Sequence, residues 1–148
     1  MVDINALSEP QNHRCCYCGH EMIRHVHIDG ISMARNAATK DHIEPRCYDG
    51  PTTLMNMVAA CSLCNNLRGE IEAEAFYNLV QKWFKRDSTL RNRWHNISRE
   101  EFRALKHRCT LVHARQLHGL GKRHKEFAFR HYDFAFRGRA RFLLQQRA

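Results

Sequence analysis

Residues 39–66, TKDHIEPRCYDGPTTLMNMVAACSLCNN, contain most of the groups that decide the fold of this chain. The stretch opens on an aspartate–histidine pair and ends in a Cys-x-x-Cys pair followed by asparagine. A second Cys-x-x-Cys pair lies upstream, at residues 15–18. Two such pairs are the ligand set of a structural zinc site, which takes four thiolates in a tetrahedron. We therefore expect one zinc ion to be bound by Cys15, Cys18, Cys61 and Cys64.

The segment between the two cysteine pairs is long for a zinc module. It contains 42 residues, 19 to 60, whereas zinc ribbons usually leave roughly 15–20 residues between pairs. The segment must therefore form structure of its own inside the loop that the metal closes. Cys16 makes the register of the first pair ambiguous, and we expect it to be a small buried hydrophobe. His25 and His27 are expected to be surface or core residues, because four cysteines already complete a tetrahedral site.

The cysteine content favours a reducing environment. Seven cysteines are an odd number, whereas secreted disulfide scaffolds usually carry an even number behind a signal peptide. The N-terminal sequence, MVDINAL, has no basic region followed by an apolar run and does not resemble a signal peptide. No stretch approaches the roughly 20 apolar residues of a transmembrane helix, so no membrane contact is expected. We therefore expect a cytoplasmic protein, and in that setting Cys-x-x-Cys pairs more often bind metal.

The net charge of +9 is distributed unevenly. Residues 1–84 carry 7 Lys and Arg against 10 Asp and Glu, a balance of −3, whereas residues 85–148 carry 17 against 5, a balance of +12. So concentrated a positive field favours a polyanion partner, most often nucleic acid, over a merely solvated basic surface.

Hydrophobic periodicity predicts two short strands followed by helices. Residues 39–45 fit a strand that runs into a loop, because the proline at their end forces its predecessor away from the helical conformation. Residues 54–60 fit a second strand or an ordered loop. The pattern turns helical after the second cysteine pair, is interrupted at Gly69 and continues as an amphipathic helix over residues 70–84.

The C-terminal half is predicted to be largely helical. Ser98 and Glu101 match a capping box, which predicts a helix from about residue 99 that is ended by Gly119 and Gly121. Beyond it lies a small repeat, EFAFR and DFAFR, whose phenylalanines either stack on bases or, as we prefer, pack on the domain. At the other end of the chain, the polar residues 1–12 are expected to form a loosely held arm.

The order Cys-x-x-Cys, Asp-His-Ile-x-Pro, Asn, Cys-x-x-Cys-Asn resembles the HNH endonuclease family, the ββα-metal or His-Me finger nucleases. The resemblance covers about residues 14–70. It implies an α+β fold with a small ββα-metal core, which the four-cysteine zinc site staples together, followed by a mostly α-helical basic region. We therefore divide the chain into a zinc-stapled HNH nuclease domain, residues 1–84, and a basic helical extension for nucleic-acid binding, residues 85–148.

The resemblance also implies roles for individual residues. The general base of the family falls on His42 and its metal-binding aspartate on Asp41. The central asparagine falls on Asn56, which we expect to hold the loop or His42 in orientation. The last motif residue, a metal ligand, falls on Asn65, with Asn66 as the weaker claimant. Carboxylate and amide oxygens suit Mg²⁺ or Mn²⁺ rather than a second zinc ion.

These features predict a metal-dependent DNA endonuclease or nickase in which a neutral histidine activates water. Arg46 and Arg68 flank the predicted site in the sequence, and we expect them to contact phosphates. The alternative is a non-catalytic zinc module that binds nucleic acid, which needs only the cysteines and the basic half. The compact size resembles phage-encoded or mobile-element HNH proteins. The sequence does not decide whether the enzyme nicks one strand or cuts both, whether its substrate is DNA or RNA, or what its oligomeric state is.

The charge asymmetry generates the first prediction. Deleting the residues beyond about 118 is expected to weaken DNA binding and to flatten its salt dependence, because many of the cations that displace counterions are removed. The zinc content should not change. Binding measured against salt concentration tests this division of labour, which an unchanged slope would refute.

Overall fold

A computed structural model describes residues 2–24, 34–46 and 49–120 of the 148-residue chain. Several predictions from the sequence fall outside these residues: those for His25, His27 and the Phe-rich repeat, and the helix end at Gly121.

Two strands and a helix form the centre of the fold. The element order is α1 (Ile4–Ser8), β1 (Ala38–His42), β2 (Met57–Cys61), α2 (Ser62–Arg68), α3 (Ala73–Arg86) and α4 (Arg99–Leu120), with single 3-10 turns at Glu9–Gln11, Leu54–Asn56 and Trp94–Asn96. The two strands pair antiparallel, with Ala38 opposite Cys61 and His42 opposite Met57. Because α2 begins directly after β2, the β-β-α order and the α+β class predicted from the sequence are confirmed.

Glycine separates the two helices that follow the sheet. Gly69 has a φ of 56° and ends α2, in the left-handed region that residues with a Cβ adopt at a cost. The amphipathic helix predicted for residues 70–84 forms as α3, three residues later than expected, and buries Phe76, Val80 and Trp83 along one face.

The long helix α4 begins where its capping residue predicts. The backbone N–H of Glu101 donates to Ser98 Oγ at 3.1 Å. The Glu101 carboxylate pairs with Arg93 instead of completing the capping box. Of the two glycines predicted to end the helix, Gly119 lies inside α4, which continues to Leu120. One glycine costs a helix only about 1 kcal/mol relative to alanine, which a 22-residue helix tolerates.

The N-terminal segment is not a loose arm, and that prediction is wrong. Leu7 is buried in the core. The buried side chain of Gln11 donates from Nε2 to the carbonyl of Ala59 at 2.8 Å, and its Oε1 accepts from the N–H of Ala59 at 3.0 Å. A side-chain amide thus gives β2 the pair of hydrogen bonds that a neighbouring strand would supply. The polar composition of the segment hid this contact.

The described part of residues 85–148 packs on the same core as residues 1–84. Trp94 is fully buried and belongs to one hydrophobic cluster together with Phe76 and the four cysteines of the predicted zinc site. Lys106 Nζ donates to the carbonyls of Asn66 and Leu67 at 2.7 and 3.3 Å, at the C-terminal end of α2 where cations are favoured. The division at residue 84 stays a prediction. Within the described residues, none of the helices is long and apolar enough to cross a membrane.

Candidate active site and metal centre

Four buried cysteine thiols converge beside the sheet. Their Sγ atoms all lie within 4.8 Å of one another, and the cluster comprises Cys15, Cys18, Cys61 and Cys64. The Sγ atoms of Cys18 and Cys61 are 3.8 Å apart. A regular ZnS₄ tetrahedron with Zn–S bonds of about 2.3 Å has sulfur–sulfur edges of roughly 3.8 Å. The cluster therefore has the ligand type, burial and spacing of a structural zinc site.

The thiols of the cluster have shifted pKa values. Burial disfavours the thiolate of Cys15, but hydrogen bonds from the surrounding cysteines outweigh it and place the pKa of Cys15 well below its usual value. Burial raises the pKa of Cys18 and Cys64 well above theirs. A metal ion bound at the cluster would favour the thiolate forms of Cys18 and Cys64. Cys16 is fully buried next to the cluster, which confirms its prediction as a small core residue.

Two side chains hold Asp41, one near each cysteine pair. Tyr17, inside the first pair, donates its hydroxyl to Asp41 Oδ2 at 2.7 Å. Arg68, in the helix that begins at the second pair, donates from Nη1 to the same oxygen at 2.7 Å. Within the described residues, Oδ1 of Asp41 takes part in no hydrogen bond. The carboxylate is thus fixed through one oxygen, which leaves the other available as a metal ligand.

The guanidinium of Arg68 is committed to the protein interior. It is 1% exposed, and besides Asp41 it donates to the carbonyls of His42 and Ile43 at 2.5 Å and of Ile71 at 2.7 Å. Although burial disfavours its charge, Asp41 raises the pKa of Arg68 further above its usual value. This placement favours a positioning role over the phosphate contact expected for Arg68.

Asn65 lies against the strand that carries Asp41. Its Nδ2 donates to Thr39 Oγ1 at 3.0 Å and to the Lys40 carbonyl at 3.3 Å. Side chains two residues apart on a strand share a face, so Thr39 places Asn65 on the face of Asp41. With its nitrogen used in this way, the amide oxygen remains for a cation. The amide of Asn66 is directed instead towards Ser62 Oγ, at 3.5 Å.

His42 is half-buried at the end of β1. Its Nε2 is hydrogen-bonded to Thr52 Oγ1 at 3.0 Å. Burial lowers the pKa of His42, with Arg46 and Arg68 acting in the same direction and Asp41 opposing them. Nothing in the sequence marked Thr52, which lies ten positions further along the chain than His42.

Asn56 staples the loop that follows β1. Its buried amide accepts from the N–H of Glu44 at 2.9 Å and donates to the carbonyls of Glu44 and Pro51 at 3.1 and 2.8 Å. The loop is so tight that a Cβ at Gly50 would lie 1.9 Å from the Glu44 carbonyl oxygen. These contacts fit the expectation that Asn56 holds the loop in orientation. The side chain of Arg46, in the same loop, is exposed.

Sequence reasoning missed Glu44. This residue is fully buried, and neither carboxylate oxygen has a hydrogen-bond partner in the part of the chain that the structure describes. Burial, with a contribution from Asp49, raises the pKa of Glu44 to about 7. A glutamate beside proline in a loop reads as a surface residue, and only the folded chain encloses it.

Comparison with known proteins agrees with this geometry. Residues 15–70 match the HNH endonuclease family. The chain is also 26% identical over 91 residues to the "SPbeta prophage-derived putative HNH endonuclease YoqL" of Bacillus subtilis, a match that covers 61% of this chain and 38% of that protein. No solved structure matches the chain significantly. Residues 15–70 therefore form an HNH endonuclease domain, as the order of motifs predicted, and they contain both cysteine pairs and the residues around Asp41.

The network around Asp41 predicts a loss of stability in Tyr17→Phe. The substitution removes the hydroxyl donor from a buried carboxylate, and hydrogen bonds to charged groups contribute about 1.5–3 kcal/mol. The free energy of unfolding of the zinc-loaded protein, measured in urea, should fall by about that amount. Zinc content should be unchanged, because no ligand is altered. Equal stability of the two proteins would show that the Tyr17–Asp41 contact contributes little.

The buried carboxyl of Glu44 predicts a pH-dependent stability. Its pKa of about 7 in the folded protein lies above the usual 4.5, so the folded state binds more protons between these values. The free energy of unfolding of the wild type should therefore fall as pH rises from about 4.5 to about 7. Glu44→Gln cannot titrate and should show a flatter profile in urea unfolding at several pH values. Parallel profiles would contradict this assignment.

Proposed function

We propose that this protein is a metal-dependent endonuclease, or nickase, that hydrolyses phosphodiester bonds in DNA. The observation that carries the proposal is that the Asn65 amide is hydrogen-bonded to β1, the strand that ends in Asp41 and His42. The match of residues 15–70 to the HNH endonuclease family supports the same activity.

In the proposed mechanism His42 is the general base. Because its pKa is lowered by burial, the imidazole is neutral near pH 7 and can accept a proton from the attacking water. Only one ring nitrogen can do so, since Nε2 is hydrogen-bonded to Thr52. We therefore assign Thr52 as the residue that orients the base. Asn56 acts indirectly, by fixing the loop that returns Thr52 to His42.

The oxygens left over by the hydrogen-bond network define the proposed cation site. Asp41 and Asn65 would hold a hard divalent ion, Mg²⁺ or Mn²⁺, through one carboxylate and one amide oxygen. When bound, such an ion supplies Lewis-acid stabilisation of the charge that develops on the phosphate. Tyr17 and Arg68 keep the second oxygen of Asp41 occupied and so fix the direction of the first.

The second candidate is a non-catalytic zinc module that binds nucleic acid. The ion pair between Arg68 and Asp41, with N and O 2.7 Å apart, favours it, because a neutralised carboxylate attracts a divalent cation less strongly. In either case the buried thiol cluster suits a reducing, cytoplasmic setting. An origin in a phage or mobile element is proposed only by analogy with the prophage-derived relative.

Plasmid cleavage in the presence of Mg²⁺ or Mn²⁺ separates the two candidates. His42→Ala should lower the cleavage rate by about 100-fold or more, because general bases contribute roughly 10²–10⁴-fold. His107→Ala is the matched control, since it removes an exposed histidine on α4. Zinc content should be the same in all three proteins. If the wild type binds DNA but does not cut it, the zinc-module candidate is correct.

A further inference from the structure

A basic pocket lies beside α2, outside the site proposed for catalysis. Its volume is about 400 Å³, and its lining includes the side chains of Arg35, Ser62, Asn66, Arg99, Phe102 and Arg103. Three of these residues are arginines, and none of the described lining residues is acidic. The walls come from both parts of the chain: Arg35 and α2 belong to the HNH domain, whereas Arg99 and Arg103 belong to the start of α4.

Two of the arginines are uncompensated. Arg99 and Arg103 are four residues apart, one turn of α4, and both are exposed. Neither side chain forms a hydrogen bond or an ion pair with any of the described residues. Arg93, by contrast, pairs with Asp87 and Glu101. Neighbouring like charges on a helix repel one another, so this arrangement is stabilised when an anion enters the pocket.

The third arginine is held in place before any ligand binds. Arg35 Nη1 donates to the carbonyl of Ile97 at 2.5 Å, and its guanidinium carbon lies 5.8 Å from the centre of the Phe102 ring. These contacts fix the side chain at the pocket wall and leave other N–H groups of the fork to serve as donors. An ordered arginine loses less conformational entropy on binding than a free one.

We propose that this pocket binds a backbone phosphate of the nucleic-acid substrate, a second contact distinct from the scissile phosphate. The proposal rests on the proposed function for the identity of that substrate. Guanidinium forks match the geometry of phosphate oxygens, and the Ser62 hydroxyl and Asn66 amide add neutral donors of the kind that contact phosphates in nucleic-acid complexes. Phe102 and Leu63 provide an apolar surface for the adjoining sugar or base.

The position of the pocket relates it to the proposed active site. Asn65, which lies against β1 near Asp41, and Asn66, which lines the pocket, are successive residues of α2. Successive helical residues point about 100° apart, so the two sites flank the same short helix. A strand held in the pocket is thereby anchored close to Asp41 and His42. Arg99 and Arg103 of the basic extension would thereby supply positive charge for DNA beside residues 1–84, whose own charge balance is negative.

Salt-dependent DNA binding tests the proposal in the full chain, with His42→Ala as background so that cleavage is slow. The test variant is Arg99→Ala with Arg103→Ala, and the control is Arg108→Ala with Arg115→Ala. Both remove two exposed arginines from α4, but only the first pair lines the pocket. Affinity for a short DNA duplex and for its single strand is measured by fluorescence anisotropy against salt concentration.

The test variant should bind about tenfold more weakly, and its slope of log affinity against log salt should fall by about 0.9 for each phosphate that the protein no longer neutralises. The control should stay close to the background protein. Equal losses of DNA affinity in the two variants, or no DNA binding by the background protein, would overturn the proposed phosphate contact. If the test variant alone loses affinity but the wild type does not cut DNA, only the proposed endonuclease activity is refuted. If the wild type cuts DNA but the test and control variants bind it equally well, only the pocket is refuted.

Discussion

The double hydrogen bond to Oδ2 of Asp41 is the interaction on which the candidate site depends. One donor, Tyr17, is set by the first cysteine pair, and the other, Arg68, by the helix that starts at the second pair. The two pairs lie far apart in the sequence, so the donors meet at Asp41 only if the four cysteines are held together. A metal ion bound by the four cysteines would therefore also orient the Asp41 carboxylate, so that a small core could carry a defined site.

Electrostatics around the site are unusual for so small a domain. A fully charged arginine is buried and compensated by one carboxylate and three carbonyls, whereas a buried carboxyl nearby, Glu44, has no hydrogen-bond partner among the described residues. Removing one member of a buried ion pair is costly, so Arg68 and Asp41 depend on each other. The carboxyl of Glu44, unpartnered among the described residues, lies two residues after His42 in the chain, and local arrangements that cost stability concentrate at functional sites.

The extension is more closely connected to the HNH domain than its charge suggested. Its 3-10 turn buries Trp94 in the common core, and α4 places Lys106 on the end of α2. Through the same packing the helix brings two arginines to face Arg35. The two oppositely charged halves thus share one hydrophobic cluster within the described residues. The start of the basic helix α4 and the short helix α2 line the same pocket.

The sequence by itself determined the motif-bearing centre: the spacing of four cysteines, the strand–strand–helix order and the cap at Ser98 all follow from local rules. Spacing was sufficient because metal ligation and helix capping depend on residue type at fixed offsets. Only the tertiary structure decided the role of residues whose partners are distant in the chain. Arg68 looked like a phosphate contact and is buried on Asp41, Gln11 looked like part of a loose arm and pairs with β2, and Glu44 gave no signal. Burial depends on which surfaces meet, and neither composition nor periodicity records the partner of a polar side chain.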